Sequence, residues 1–295
     1  MKRIAKIALC AFLLGLFSRY GLADARGRWR SLAFLEKLVG GRPHLSWTQA
    51  LTAIVPQQLR FHVGLALAQP ADASGEAPCP VEFETLAAKF WGRQDDRWLV
   101  DYCIREQWVE RIYLHPDAHV QPGDIVLDDG AHLGTFTRFA LLHGAEQVIA
   151  FEPEPTNVAC FERTFADEIE EGRVVLTTAA AWNETGVITF ESPRERPNTG
   201  LGRVSETGLA AVEAATIDSV VERLGIRRVD FVKMDVVGAE RQALEGAAET
   251  VAEFAPRMVL STSVDPGNAR ALPALARENR PHYQVAEAYR HVFLY

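Results

Sequence analysis

From about residue 120 the chain alternates short apolar runs with stretches of helical periodicity, and that rhythm confines it to one class of fold. Strand-like runs are Ile125 to Asp128, Val148 to Glu152, Val174 to Thr178, Val187 to Phe190, Val229 to Asp235, Met258 to Ser261 and a last stretch near the C-terminus. Between them Thr135 to His143, Thr156 to Phe165, Ile217 to Leu224 and Ala239 to Val251 have helix spacing. Parallel strands need a crossover connection, so this pattern predicts an α/β fold, a mainly parallel sheet with helices on both faces. Ligands in such sheets bind beyond the carboxyl ends of the strands. Chemistry is therefore expected where the runs end at Asp128, Glu152 and Asp235.

The first of these runs leads through Asp128-Asp129-Gly130-Ala131-His132-Leu133-Gly134 directly into a helix. Gly130 and Gly134 permit a tight turn and close approach of the backbone to a ligand, and the free N–H groups at the helix start attract an anionic group. The G-x-x-x-G spacing differs from the G-x-G-x-x-G of dinucleotide binders and weighs against a nicotinamide or flavin cofactor. A carboxylate on the strand tip, Asp128, suits a ligand with a cationic amine beside its own carboxylate. Glu152 stands about 20 residues beyond the glycine loop, where a carboxylate is placed to accept hydrogen bonds from ribose hydroxyls. Capping the next helix is its structural alternative.

Three ordered segments resemble the FkbM-like family of S-adenosylmethionine-dependent methyltransferases. They are Asp128-x-Gly130-Ala131-His132-x-Gly134, then Ala150-Phe151-Glu152-Pro153-Glu154-Pro155-Thr156-Asn157, then Phe231-Val232-Lys233-Met234-Asp235-Val236-Val237-Gly238-Ala239-Glu240, within a similarity running from about residue 98 to 295. The resemblance implies a Rossmann-like, seven-stranded class I methyltransferase fold, S-adenosyl-L-methionine as cofactor, and O-methylation of a hydroxyl on a sugar, glycan or secondary metabolite. By position, Asp128, Gly130 and Gly134 would line the methionine end of the cofactor and Glu152 its ribose, with Ala131 and His132 of the same loop also binding it. Ala180 would lie near the adenine and Asp235 at the reacting face. No metal site is implied.

Methyl transfer to a hydroxyl needs an aligned acceptor and removal of a proton. Asp235 is the best-placed group for both tasks. Lys233, two residues earlier on the same strand face, either keeps Asp235 ionised, touches the substrate, or simply fills the strand end. Glu240 falls in the first helical turn, where an acid is favoured whatever the function. His132 either orders the glycine loop or transfers a proton. Pro193 to Gly208 is a long polar loop, expected either to fold over the acceptor, with Arg203 meeting an anionic group, or to lie in solvent; His282 and His291 are further residues that approach the same mouth if the fold brings them there.

Two departures from the family pattern bear on the acceptor. The family has Asp-Val-Glu-Gly-Ala-Glu after this strand, whereas Val237 replaces the first glutamate here; and Ser261-Thr262-Ser263-Val264-Asp265 stands where many relatives carry a Tyr-His pair. They motivate a second reading, a non-catalytic cofactor-binding module with a regulatory or assembly role.

Of the 295 residues 48% are hydrophobic and 24% charged, enough for a large core, and the net charge of -8 gives no general attraction to nucleic acid. Cys10, Cys79, Cys103 and Cys160 lack CxxC spacing, so reduced, buried thiols are expected. Trp91, Trp98 and Trp108 are expected to pack helices. The domain limits are drawn as an apolar segment over 1–23, a helical region with a linker over 24–80, and the catalytic domain over 81–295.

Lys2, Arg3 and Lys6 precede an apolar run from Ile7 to Phe17, and Gly21-Leu22-Ala23 resembles a cleavage site. That run is too short to span a bilayer, which needs about 20 residues. S-adenosylmethionine is made in the cytoplasm, so the expectation is a cytoplasmic protein whose residues 1–22 dock peripherally on the inner membrane face or on the protein itself. Neither the acceptor nor the oligomeric state is legible.

Overall fold

The computed structural model describes residues 79–85, 88–93, 96–191, 202–205, 208 and 210–295. The N-terminal apolar segment and all of the helical region and linker expected over 24–80, except Cys79 and Pro80, lie outside the described residues.

The described chain opens with a hairpin, β1 (Val81–Glu84) and β2 (Lys89–Gly92), followed by α1 (Arg97–Ile104) and a π-helical turn (Arg105–Glu110). The central elements are then β3 (Ile125–Asp129), α2 (Thr135–Leu142), β4 (Gln147–Phe151), α3 (Pro155–Thr164), α4 (Ala166–Glu170) and β5 (Val174–Thr177). Next come β6 (Ala180–Ala181), β7 (Gly186–Glu191), β8 (Arg203–Val204), β9 (Ala210–Ala215) and α5 (Ile217–Leu224). The chain ends with β10 (Phe231–Met234), α6 (Glu240–Glu245), α7 (Ala248–Phe254), β11 (Arg257–Ser261), α8 (Asn268–Asn279), β12 (Val285–Ala288) and β13 (His291–Leu294).

Seven strands form the main sheet in the order β12-β13-β11-β10-β3-β4-β5. The five from β11 to β5 are parallel, and β13 joins β11 antiparallel. Parallel strands covered on both faces carry continuous apolar runs, and β10, Phe231–Met234, is buried at every position. Pro155 at the first helical position and Glu154, whose side chain accepts from the Asn157 N–H at 2.7 Å, start α3 immediately after β4.

Four expectations change. Val187 to Phe190 is a strand, but it belongs to a separate four-stranded sheet, β6-β9-β7-β8, rather than to the main one. The single helix expected over Ala239 to Val251 is two, α6 and α7. They part at Gly246, where a Cβ would collide with the Trp182 carbonyl. Cys79 and Cys160 form a disulfide across 81 residues instead of remaining reduced, and Cys103 is free. The cause is the docking of the first hairpin on α3. There the Trp91 N–H donates to Thr164 Oγ1 at 2.9 Å, Arg163 donates to the Cys79 carbonyl at 2.8 Å, and its guanidinium covers the Trp91 ring. Trp108 packs between Phe90 and Phe139, whereas Trp98 is 55% exposed and packs no helix interface.

Candidate active site

The order β10-β3-β4 sets the tips of the three motif strands side by side. Lys233 lies in register with Asp128 and Met234 with Asp129. Alternation along β3 then sends the two adjacent acids to opposite faces.

Asp128 is wholly buried, and its carboxylate accepts from Lys233 Nζ at 3.0 Å and from Thr137 Oγ1 at 2.6 Å. Lys233 Nζ also donates to the backbone carbonyls of Asp129 at 3.0 Å and Gly130 at 2.8 Å, so all three of its protons are committed. Burial works against the ammonium, but the charges of Asp128, Asp235 and Asp129 outweigh it and hold its pKa above the ordinary value. Lysine thus clamps the glycine loop from below.

The loop turns through Gly130 at φ 79° and Gly134 at φ 84°. Glycine is required at both, because a Cβ at 130 would strike the Asp235 carbonyl and one at 134 the Phe165 ring. Across the loop, the N–H groups of Gly130 and Ala131 donate to the Phe151 carbonyl at 3.2 and 2.9 Å, and that of His132 donates to Glu152 Oε2 at 2.8 Å. Glu152 Oε1 accepts from the Glu154 N–H at 2.9 Å and from Asn157 Nδ2 at 3.2 Å. Burial pushes the Glu152 carboxyl up to about 7 against these donors.

Two cavities meet over this loop, sharing Gly130, His132, Asp235 and Val237. The smaller, of about 70 Å³, is lined by Glu152, Asn157, Ala180 and Phe190, with Gly202 and Val204 reaching it from the small sheet. Four buried polar atoms of residues that border it, Asn157 Oδ1, Asp129 Oδ2 and both His132 ring nitrogens, have no hydrogen-bond partner. Asp129, desolvated, is pushed up to about 8, with Lys233 opposing. The His132 imidazole, desolvated likewise, is lowered to about 4.

The larger cavity, about 540 Å³, opens beyond Ala131 and is bordered by Lys233, Asp235, Tyr113, Phe136 and His291. Tyr113 donates to Asp235 Oδ2 at 2.7 Å, and its ring stands edge-on to His291 at 5.1 Å. Burial and Asp235 hold the phenol well above its usual range, so it stays a donor. The His291 imidazole is lowered by burial, with Asp235 opposing, and its Nδ1 has no partner.

Glu240 is 1% exposed and accepts from the N–H groups of Val236 and Gly238, both at 3.2 Å. It fastens the turn after β10 and does not face a ligand. In that turn Val237 has φ 54°, a left-handed conformation that β-branched residues avoid.

Of the residues expected from sequence, Gly130, Ala131, His132, Lys233 and Asp235 line the larger cavity, and Glu152 and Ala180 the smaller. Asp128 lines neither: Lys233 and Thr137 occupy the carboxylate that was expected to meet a ligand amine. Gly134 acts from behind the loop. Arg203 pairs with Glu191 at 2.8 Å, and its neighbours border the smaller cavity, so this segment does not present Arg203 to the acceptor side. His291 reaches the site, whereas His282 is exposed away from it. Tyr113, Asp129 and Asn157 were missed. Asn157 had a usable signal, since it lies in the quoted segment five residues after Glu152.

The sequence profile of the Methyltransferase FkbM domain matches residues 128–287, more than half of the chain. The chain belongs to the FkbM methyltransferase family. It is 28% identical over 182 residues to the 31-O-demethyl-FK506 methyltransferase FkbM of Streptomyces tacrolimicus, covering 50% of this chain and 68% of that one. It is 28% identical over 195 residues to the hexuronic acid methyltransferase AglP of Haloferax volcanii, covering 65% of this chain and 77% of that one. Among solved structures, the methyltransferase FkbM of Methylobacillus flagellatus superposes with a TM-score of 0.50 at 16% identity, over 92% of this chain and 72% of that chain. This FkbM-family enzyme is accordingly a methyltransferase with the expected Rossmann-like sheet. Among the described residues no helix is long and apolar enough to cross a membrane, and no group of three His, Cys, Asp or Glu could hold a metal ion.

Proposed function

We propose that this methyltransferase takes its methyl group from S-adenosyl-L-methionine and transfers it to a hydroxyl oxygen of a sugar, glycan or secondary metabolite. The observation that carries the reading is a glycine loop laced to Glu152, with a small cavity on one side and a large one on the other. The lining fits a nucleoside: Glu152, through the remaining lone-pair capacity of its carboxylate, and the partnerless Asn157 Oδ1 are acceptors for ribose hydroxyls, and Ala180, Ala181 and Phe190 are apolar walls for a base. Gly130, Ala131 and His132 border the route between the cavities, where the amino-acid end of the cofactor would lie.

The cofactor supplies a methyl group on a positively charged sulfur. Asp235 faces the larger cavity and serves as proton acceptor for the substrate hydroxyl, with Tyr113 fixing the carboxylate by its 2.7 Å hydrogen bond. Phe136 and Ile112 give this end of the cavity apolar walls. Lys233 acts on the loop rather than on substrate, as its three internal hydrogen bonds require. Two homologues named for acceptors, the FK506 macrocycle and a hexuronic acid, support a small-molecule or glycan acceptor.

Calorimetric titration of S-adenosylmethionine and S-adenosylhomocysteine tests the cofactor. Binding near micromolar, about -8 kcal/mol, that Glu152→Ala abolishes is expected; no binding to the intact protein overturns the reading. Residues 1–22 are proposed to dock peripherally on the inner membrane face, on the cytoplasmic side where the cofactor is made. The Cys79–Cys160 disulfide pulls toward an oxidising compartment. N-terminal sequencing after fractionation decides: a mature terminus at Asp24 in a periplasmic fraction reverses the assignment.

A further inference from the structure

The rim of the larger cavity carries an arrangement that the transfer step does not use. The β12–β13 hairpin is closed by two residues only, Tyr289 and Arg290, at φ 54° and 64°. A two-residue turn with both central residues left-handed is normally made by Asn-Gly or Asp-Gly, because bulky side chains resist that conformation. Here it is made by two of the largest side chains, and both line the cavity. The turn is fixed in place, since the Thr262 N–H, just beyond β11, donates to the Arg290 carbonyl at 2.9 Å.

Among the described residues, the lysine and arginine lining the cavity are Lys233 and Arg290. Lys233 has no proton to spare. The carboxylates at the same rim are engaged, Glu106 by the Tyr102 hydroxyl at 2.5 Å and Glu110 by Arg105 at 3.5 Å. The exposed Arg290 guanidinium makes no ion pair or hydrogen bond among the described residues. A planar fork of donors held at a cavity mouth by a strained, anchored turn is suited to a carboxylate or phosphate, which it can grip through two hydrogen bonds.

We propose that the acceptor is anionic: Arg290 binds a carboxylate or phosphate on the acceptor while its hydroxyl reaches Asp235, and Tyr289 covers the apolar face of the molecule between them. This rests on the methyltransferase reading of the cavity and narrows its substrate class to hydroxylated acids, the acid being a sugar carboxylate or a sugar phosphate.

The test is ligand-observed NMR titration of the full chain with D-glucuronate, glucose 1-phosphate and methyl glucoside, with and without S-adenosylhomocysteine. Both anions, or one of them, are expected to bind about tenfold more tightly than the neutral sugar, an advantage that weakens with salt. Preference for glucuronate assigns a carboxylate acceptor and preference for glucose 1-phosphate a phosphorylated one. Arg290→Asn is the informative variant, because asparagine tolerates the left-handed turn. It should abolish the preference for anions while leaving or raising the melting temperature; Tyr289→Asn, with the cation intact, should keep that preference. Equal affinity for all three sugars, or an anion preference unchanged in Arg290→Asn, overturns the proposal. Cofactor binding is read separately by calorimetry, so loss of the anion site and failure of the cofactor reading give different results.

Discussion

The floor and the rim of this site are built on opposite terms. Beneath the glycine loop, Asp128, Lys233 and Thr137 are buried and satisfy one another completely. Around the opening, Val237, Tyr289 and Arg290 hold left-handed backbone, and polar atoms of His132, Asn157 and Asp129 go without partners. The floor gains rigidity from its closed network; the rim keeps strain and unmet hydrogen bonds that a bound molecule can relieve. Stability and binding are thereby separated within a few residues of each other, and that separation can be probed.

The largest effect is expected at the floor. Lys233→Met leaves the Asp128 charge buried without its partner and should cost about 3–5 kcal/mol, measured by urea denaturation. A fall in turnover with unchanged stability would instead make Lys233 a catalytic residue and erase the contrast.

Next in size is Glu152, which stands between the two regions. Cofactor affinity should fall as pH drops through about 7, where its carboxyl takes up a proton and ceases to accept from ribose. Glu152→Gln should lower the affinity by roughly tenfold or more and flatten that pH dependence in calorimetry. The apoprotein follows the opposite slope. Glu152 and Asp129 are raised, to about 7 and about 8, so the folded chain holds protons that the unfolded chain has released. Stability is therefore lost as pH rises from the ordinary carboxyl range near 4 through about 8. Between about 4 and 6.5 His132, lowered to about 4, works in the other direction and offsets one of the two protons, since the unfolded chain takes up its imidazole proton first. Melting temperatures of the apoprotein should thus fall most steeply just above pH 6.5, where the His132 offset has ended, and saturating cofactor should soften that fall.

The smallest effect belongs to the rim. Val237→Asn removes a β-branched side chain from φ 54° and should stabilise by about 1 kcal/mol. Thermal melting reads this directly. A loss of stability would show that packing of the isopropyl group, not strain, governs the position.

Much of the floor was legible in the sequence and little of the rim. The continuous apolar runs that become β3, β4, β10 and β11 are what a doubly covered parallel strand requires, and the acids at their ends mark the site. Which of Asp128 and Asp129 faces the ligand depends on strand register against Lys233, and one residue of alternation reverses the answer. Val187 to Phe190 reads as a strand, but local pattern does not say which sheet it joins. Tyr113 comes from an irregular connection and reaches Asp235 across 122 residues with no motif to announce it. The Cys79–Cys160 pairing likewise depends on a hairpin docking against α3, information that spacing alone does not contain. Tyr289 and Arg290 break the turn chemistry that sequence reading relies on.

The Cys79–Cys160 bond makes a closed covalent ring of the intervening chain, and the glycine loop, Asp128, Tyr113 and Glu152 all lie inside it. A protease that nicks any one peptide bond within the ring cannot separate the two halves of the proposed cofactor site: the pieces migrate together on a non-reducing gel and part only after a thiol is added. The same bond leaves Asp235 and the β12–β13 turn outside the ring, so on a denaturing gel a single cut between Cys160 and Asp235 parts the proposed proton acceptor and the proposed anion-binding rim from the glycine loop.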